Sequence, residues 1–412
     1  MRAAACESPI ELRKRLPLLF VLFTVVIDAV GIGLIIPVMP SLLIEVGDGT
    51  LTNAAAWGGV LASAFAVMQF ICGPTIGSLS DRYGRRPVLL VSLFFMSLDY
   101  LVMGFAHAIW LLLIGRIVGG VTAATAATAA AFVSDISPPE EKAQNFGLIG
   151  AAFGVGFVLG PLLGAAFAEF GTRAPFFAAA VLSMCNLALG YIVLPETVTD
   201  KIRRPFSWRR ANPIGGFYHV MRLPGLATLV SALFIYELAL LVYPSIWSYF
   251  SVERFDWGPR MIGISIAIYG VMIAVVQGGL IRLFLKHLGE RGTIWTGMFF
   301  TAIGCLGFGI VEDAAAAFIL IPISAIGAVF TPAIHGIMAR AALANQQGEL
   351  QGVIASVNSI AYVISPLLMT QIFNAFVRPE SGYYLPGAPF LVAFALVLVS
   401  AVILGYRKTK TE

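Results

Sequence analysis

Charge is scarce in this sequence. Lys and Arg number 26 and Asp and Glu 22, together 12% of 412 residues, about half the roughly 25% of an ordinary soluble domain. Cysteine is scarcer still: Cys6, Cys72, Cys185 and Cys305 have no metal-ligand or framework spacing, which argues against a disulfide scaffold and a thiolate metal centre. Three of the four lie in apolar runs, where they read as small hydrophobes. No HExxH or comparable metal or nucleophile constellation occurs, so an enzyme is not expected and no metal or cofactor is called for. A GxxxxGK[ST] phosphate loop is also missing, and none of the six lysines follows a glycine. Any uphill work would therefore draw on an ion gradient or on exchange, not on ATP.

Apolar residues make up 59% of the chain, with a mean hydropathy of +0.90, more than a soluble fold can keep from water. The sequence predicts an all-α integral membrane protein. Continuous apolar runs fall near 16–43, 55–79, 87–106, 109–136, 144–169, 174–195, 223–250, 260–281, 292–311, 314–341, 350–376 and 387–405. Each is long enough to cross about 30 Å of hydrocarbon as a helix, whereas barrel strands would show about ten-residue alternating segments. With twelve spans both termini share one side. That side holds 21 of the Lys and Arg residues against 4 on the other, with Arg116 inside a span, so both termini are predicted to be cytoplasmic. The net charge of +4 is then a matter of topology, and nucleic acid is not an expected partner. The basic N-terminus leads into a run too long for a signal peptide, predicting an uncleaved first helix.

The longest polar stretch, 196–222, divides the spans six and six. It predicts two bundles, 1–195 and 223–412, joined by a cytoplasmic linker. A repeat supports the division at a constant offset of 205 residues: Gly73, Ile76, Gly84 and Arg86 recur as Gly278, Ile281, Gly289 and Arg291, and Pro161-Leu162-Leu163 as Pro366-Leu367-Leu368. Paired six-helix repeats are a common plan of secondary transporters, with a site near the midplane.

Four ionisable residues fall inside spans: Asp28, Asp99, Arg116 and Glu237. Placing such a group at midplane costs about 3 kcal/mol on insertion scales, so each should face a cavity or a partner. Burial and a neighbouring cation act on a carboxyl group in opposite senses, which lets such groups bind and release protons near neutral pH. These four are candidates for proton coupling; the plainer alternative is a structural pair in which Arg116 neutralises one carboxylate. Gln69, Gln277, His335, Gln351 and Asn358 are also polar within spans. With Asp28 and Glu237 they could line a substrate cavity, or they could serve as interhelical hydrogen bonds. Gly156, Gly160 and Gly164 stand four apart beside Pro161, a smooth helix face that permits close approach of a neighbour. The stretch GSLSDRYGRRP crowds Asp81, Arg82, Arg85 and Arg86, with Gly77 and Gly84, into one turn between spans two and three. Pairing of this turn with helix ends and with acids such as Asp135 would make a cytoplasmic gate.

These segments resemble the major facilitator superfamily, specifically its twelve-span drug:proton antiporters and most closely the tetracycline efflux group. GSLSDRYGRR matches the loop pattern GxxxD(R/K)xG(R/K)(R/K). RIVGG from Arg116 is similar to the fourth-span motif associated with proton transfer, with Gly119 where the family usually has Gln. The antiporter pattern G(x)8G(x)3GP(x)2GG is met at Gly147, Gly156, Gly160, Pro161 and Gly164, departing at Ala165. Where the best-known members carry a His in span eight and an acid in span nine, this chain has Ile273 and Ala302. The resemblance implies a monomeric exporter of amphiphilic small molecules, tetracycline-like or other drugs, in the inner membrane, driven by protons without a cofactor. Proton-coupled uptake of a metabolite and a non-transporting receptor or scaffold are the alternatives.

Overall fold

The computed structural model describes residues 9–47, 49–123, 125–138, 141–198, 226–341, 347–378 and 382–406, and these are helical apart from short connections. In hydrocarbon a backbone must satisfy its own hydrogen bonds, which a helix does within one segment. The first half comprises α1 (Pro9–Ile35), α2 (Met39–Val46), α3 (Leu51–Tyr83), α4 (Arg85–Phe105), α5 (Ile109–Thr122), α6 (Thr125–Ile136), α7 (Lys142–Ala168) and α8 (Ala174–Val193). The second comprises α9 (Leu226–Leu240), α10 (Val242–Phe255), α11 (Pro259–Val275), α12 (Ile281–Ile310), α13 (Ala314–Ala325), α14 (Phe330–Ala341), α15 (Gln347–Val377) and α16 (Ala388–Tyr406). A π turn at Val276–Leu280 joins α11 to α12 and a 3-10 turn at Ile326–Val329 joins α13 to α14.

Among the described residues, eleven continuous helical stretches are long and apolar enough to cross a membrane, and this is a multi-pass membrane protein. One stretch, Pro259–Ile310, has 52 residues, about 78 Å at 1.5 Å per residue, far beyond one crossing. Its helical geometry breaks at Gly289, φ 64° and ψ −177°, so it supplies two crossings and the count reaches twelve. The first crossing ends sooner than its hydropathy suggests, at Ile35 instead of residue 43. Pro37 has no amide to donate and disfavours helix at the residue before it, and the chain restarts as the short α2.

The repeat is visible in the backbone as well as in the letters. Gly84 has φ 115° and Gly289 has φ 64°, a left-handed region in which a side chain is strained, and the two are 205 residues apart. The ion pairs around them also correspond, with their charges exchanged. Arg85 binds Asp135 (Nε–Oδ2 3.0 Å) and Asp81 (Nη1–Oδ1 2.6 Å). The residues 205 positions later are Glu290, Arg340 and Lys286, and Glu290 pairs with Arg340.

In the first bundle α1 packs along α7, α3 along α5 and α4 along α8; in the second, α9 and α12 both pack on α16. The bundles meet along α3 with α15 and α7 with α11. These contacts gather at the end where α1 stops. The Ser248 hydroxyl donates to Ile36 O (3.0 Å) and that of Ser63 to Val363 O (2.7 Å), while Gly263 has room only for hydrogen against Pro161 and Ala165. At the opposite, Gly84 end, a Cβ on Gly73, Gly77, Gly147, Gly278 or Gly352 would meet nothing within 4 Å. The bundles thus close at the Ile36 end and part at the Gly84 end. Most of the expected linker, residues 199–222, lies outside the described residues, but its first residues do not stand apart: Val198 is buried, and Glu196 and Thr197 bond to the first bundle.

Candidate functional site

Between the bundles lies a cavity of about 1520 Å³ walled by α1, α3, α4, α5, α7, α10, α11 and α15. Its walls are largely apolar, with few polar groups, among them Asp28, Gln69, Asp99, Arg116, Ser245 and Gln277. Asp28 comes from the middle of α1, and its Oδ1 is buried without a hydrogen-bond partner. Beside it Tyr100 of α4 packs against Gly31, where a Cβ would stand 2.5 Å from the hydroxyl.

The structure decides which carboxylate Arg116 takes. The guanidinium pairs with Asp99, touches Met103 Sδ (2.9 Å) and lies over the Phe65 ring at 5.2 Å. The side chains are 14% and 3% exposed, so water screens the pair little. Two glycines of α5 make room for the carboxylate: a Cβ on Gly115 or Gly119 would lie 2.8 or 2.7 Å from an Asp99 oxygen. Asp28 is therefore the membrane-embedded carboxylate of this cavity without a cationic partner among the described residues.

The α7 glycines hold the helix that carries Asp28. Cβ atoms at Gly156, Gly160 and Gly164 would strike the α1 backbone at Val26, Val30 and Leu34 or residues beside them, and Gly33 of α1 sits against Gly160 and Pro161 in return. The opposite side of α7 touches α11 at Gly263 and Gly270. Gly147, at the open end, has no such neighbour and lines the cavity. Gly160→Leu is expected to lower stability by about 1–3 kcal/mol through overpacking, read as an earlier thermal unfolding midpoint in detergent. Gly405→Leu, where nothing lies within 4 Å, should leave that midpoint in place.

The charged turn is tied into its own bundle. Arg85 bridges Asp81 and Asp135, and Arg86 donates to Tyr191 O (2.8 Å) with its guanidinium 5.4 Å from that ring. Arg82 lies over Tyr83 at 5.1 Å. At this turn the sequence reading missed Glu196. Its carboxylate accepts from the amides of Arg85 (2.9 Å) and Arg86 (3.3 Å) at the start of α4, and from those of Thr197 and Val198. An anion at a helix N-terminus meets both free amides and the positive end of the dipole. Gly84 is doubly required here, because a Cβ would occupy the place of the Glu196 carboxylate.

Of the polar residues expected at the cavity, Asp28, Gln69 and Gln277 line it, and Gln69 Nε2 donates to Ala123 O (3.3 Å). Glu237, His335, Gln351 and Asn358 are not among its lining residues. Glu237 Oε1 instead accepts from Thr331 Oγ1 at 3.2 Å inside the second bundle. Tyr100, Tyr249 and Tyr362, which carried no sequence signal, do face the cavity. Among the described residues no group of three His, Cys, Asp or Glu is placed to hold a metal ion.

Comparison with known proteins follows the same lines. The family model described as Major Facilitator Superfamily matches residues 21–366. The chain is 38% identical over 382 residues to the tetracycline resistance protein, class C, of Escherichia coli, covering 93% of this chain and 94% of that one. It is 35% identical over 398 residues to the class H tetracycline resistance protein of Pasteurella multocida, covering 95% and 97%. Among solved structures, a bacterial homologue of the human lysosomal transporter Spinster shares the fold, with a TM-score of 0.76, 14% identity and coverage of 94% and 95%.

Proposed function

The chain belongs to the Major Facilitator Superfamily, and from that premise we propose that it is a secondary transporter of the inner membrane that exports amphiphilic drugs, tetracyclines or molecules like them, in exchange for protons. The observation that carries this reading is Asp28: a carboxylate with no cationic partner among the described residues, on the wall of a largely apolar cavity that both bundles share. The curated relatives named above are tetracycline resistance proteins over nearly their whole length.

The geometry supports the following cycle. With the bundles parted at the Gly84 end, taken as cytoplasmic from the distribution of Lys and Arg, an amphiphile enters from the cytosol or inner leaflet and lays its apolar body on the cavity wall. A polar or cationic group of the drug competes with the proton on Asp28, and binding drives that proton out. The bundles then rock about the Ile36 end, opening the cavity to the other side. There a proton returns to Asp28 and displaces the drug. Asp99, held by Arg116, shapes the electrostatics next to Asp28 and shares the coupling. The Asp81, Arg85, Asp135 and Glu196 cluster keeps the start of α4 rigid as the cytoplasmic gate works. Cargo leaves chemically unchanged, so no catalytic step is assigned. Ile273 sets an apolar side chain on the wall, which favours recognition by shape and apolar contact. A monomer with both termini in the cytoplasm completes the reading.

The test is substrate-induced proton movement in proteoliposomes, followed with a pH-sensitive dye for tetracycline and a small panel of amphiphilic drugs. Proton flow counter to drug flow supports antiport. Flow in the same direction would mean uptake by symport, and silence from folded protein across the panel would remove the drug-export reading.

A further inference from the structure

The floor of the cavity, at the closed Ile36 end, is built from two broken helices. α1 gives way after Ile35 and α9 after Leu240, positions that share the spacing of the repeat. In an unbroken helix each carbonyl takes the amide four residues on. Four residues on from Ile36 and Leu240 stand Pro40 and Pro244, which have no amide to give. Ile36 O is taken instead by the other bundle, through the Ser248 hydroxyl at 3.0 Å.

Ser245, Ser248 and Tyr249 stand three and four residues apart on α10, on one face of that helix, and all three line the cavity. Both serine hydrogens are already committed: the Ser245 hydroxyl donates to Leu241 O (2.6 Å) and that of Ser248 to Ile36 O. A hydroxyl has one hydrogen and two lone pairs, so each serine offers a ligand acceptor capacity alone. The Tyr249 hydroxyl sits against Gly58, in space that a side chain there would fill, and a phenol both donates and accepts. Together these oxygens suit a group that donates and accepts at once, an alcohol, a phenol or an amide. An ether, which only accepts, gains nothing from the two serines. Asp28 lies eight residues before Ile36 in the sequence, about 12 Å along α1 at 1.5 Å per residue, and lines the same cavity with Ile32 between them.

We infer that the floor is a second recognition point for cargo, at which Ser245, Ser248 and Tyr249 bind a neutral hydroxyl or amide of an amphiphile whose cationic end lies at Asp28. The inference deepens the export reading: it rests on that reading for the cation at Asp28 but not for the hydroxyl at the floor. An apolar wall accepts many bodies of similar bulk, and a few placed polar groups fix orientation. Two such points about 12 Å apart select cargo by length as well as by polarity.

The experiment measures binding and needs no transport. Full-length protein in lipid nanodiscs is titrated with three radiolabelled amphiphiles that share a trimethylammonium head and an eight-carbon chain. They end in a hydroxyl, a methyl ether or a methyl group, and binding to empty nanodiscs is subtracted. The hydroxyl probe is expected to bind about three- to tenfold more tightly than the ether, the range that one neutral hydrogen bond supports. Ser245→Ala, which removes a hydroxyl bonded within its own helix, should bring hydroxyl and ether probes to within about twofold of each other and leave the methyl probe unchanged. Equal affinity of the hydroxyl and ether probes for wild type overturns the proposal, as does a preference that survives intact in Ser245→Ala. Protein that prefers the hydroxyl probe but moves no protons with any drug would keep the floor site and lose antiport. Protein that moves protons with drugs yet binds the three probes alike would keep antiport and lose the floor site.

Discussion

Asp28→Asn is expected to abolish drug-induced proton release in proteoliposomes, bringing the dye signal down to that of empty vesicles. The substitution keeps size and shape and removes only the titratable oxygen. Among the described residues Asp28 has no ionic partner whose loss would unbalance the fold, so the variant should unfold at the wild-type temperature. Removing a positioned proton-transfer group costs typically about 10²–10⁴-fold, and a loss of roughly 10²-fold or more in coupled flux is expected here. Asp99→Asn serves as the comparison, because it frees a buried guanidinium as well as removing a carboxyl. A folded Asp28→Asn protein that still releases protons on drug addition would move the coupling to another residue.

Arg116→Ala should be the most destabilising single change in the first bundle. Asp99 is 3% exposed and pairs with Arg116 inside the membrane, and removing one partner of a buried pair typically costs about 3–5 kcal/mol because the other charge is left uncompensated. The thermal midpoint in detergent, followed by tryptophan fluorescence, should fall sharply. The double variant Asp99→Asn with Arg116→Met should regain most of that loss, since an apolar or neutral replacement of a buried pair is often neutral in stability, while drug-linked proton release stays impaired. Equal midpoints for Arg116→Ala and the double variant would mean that the pair is not what holds α4 to α5.

Much of this was readable from residue letters because a membrane makes a few features expensive. A carboxylate 12 residues into an apolar run, as at Asp28, has to face a cavity or a partner, and it does face the cavity. The offset of 205 residues pointed to two like bundles, and the left-handed glycines at Gly84 and Gly289 bear out that correspondence. What could not be read depends on helix rotation and long-range register. Helices that are apolar all round have no polar stripe to show which face turns inward. So nothing in the letters separates Gln277, which lines the cavity, from Asn358, which does not. The choice of Asp99 over Asp28 as the partner of Arg116 depends on how α4 crosses α5. Glu196 was hidden because it meets the amide of Arg86 across 110 residues of sequence, and a lone acid after the sixth apolar run looks like the start of a linker. The first span ran too long on paper because hydropathy weighs Pro37 as one residue among many, whereas its missing amide ends the helix.

The exchanged charges at the two matched turns show what the duplicated turn needs and what it does not. Asp81, Arg85 and Asp135 sum to −1, and their counterparts Lys286, Glu290 and Arg340 sum to +1. Both halves keep the left-handed glycine and an ion pair beside it, within their own bundle, while the carriers of the two signs have changed places. Attraction between two charges depends on their being unlike and not on which helix end bears which sign, so the halves could diverge in charge and still fasten the same turn.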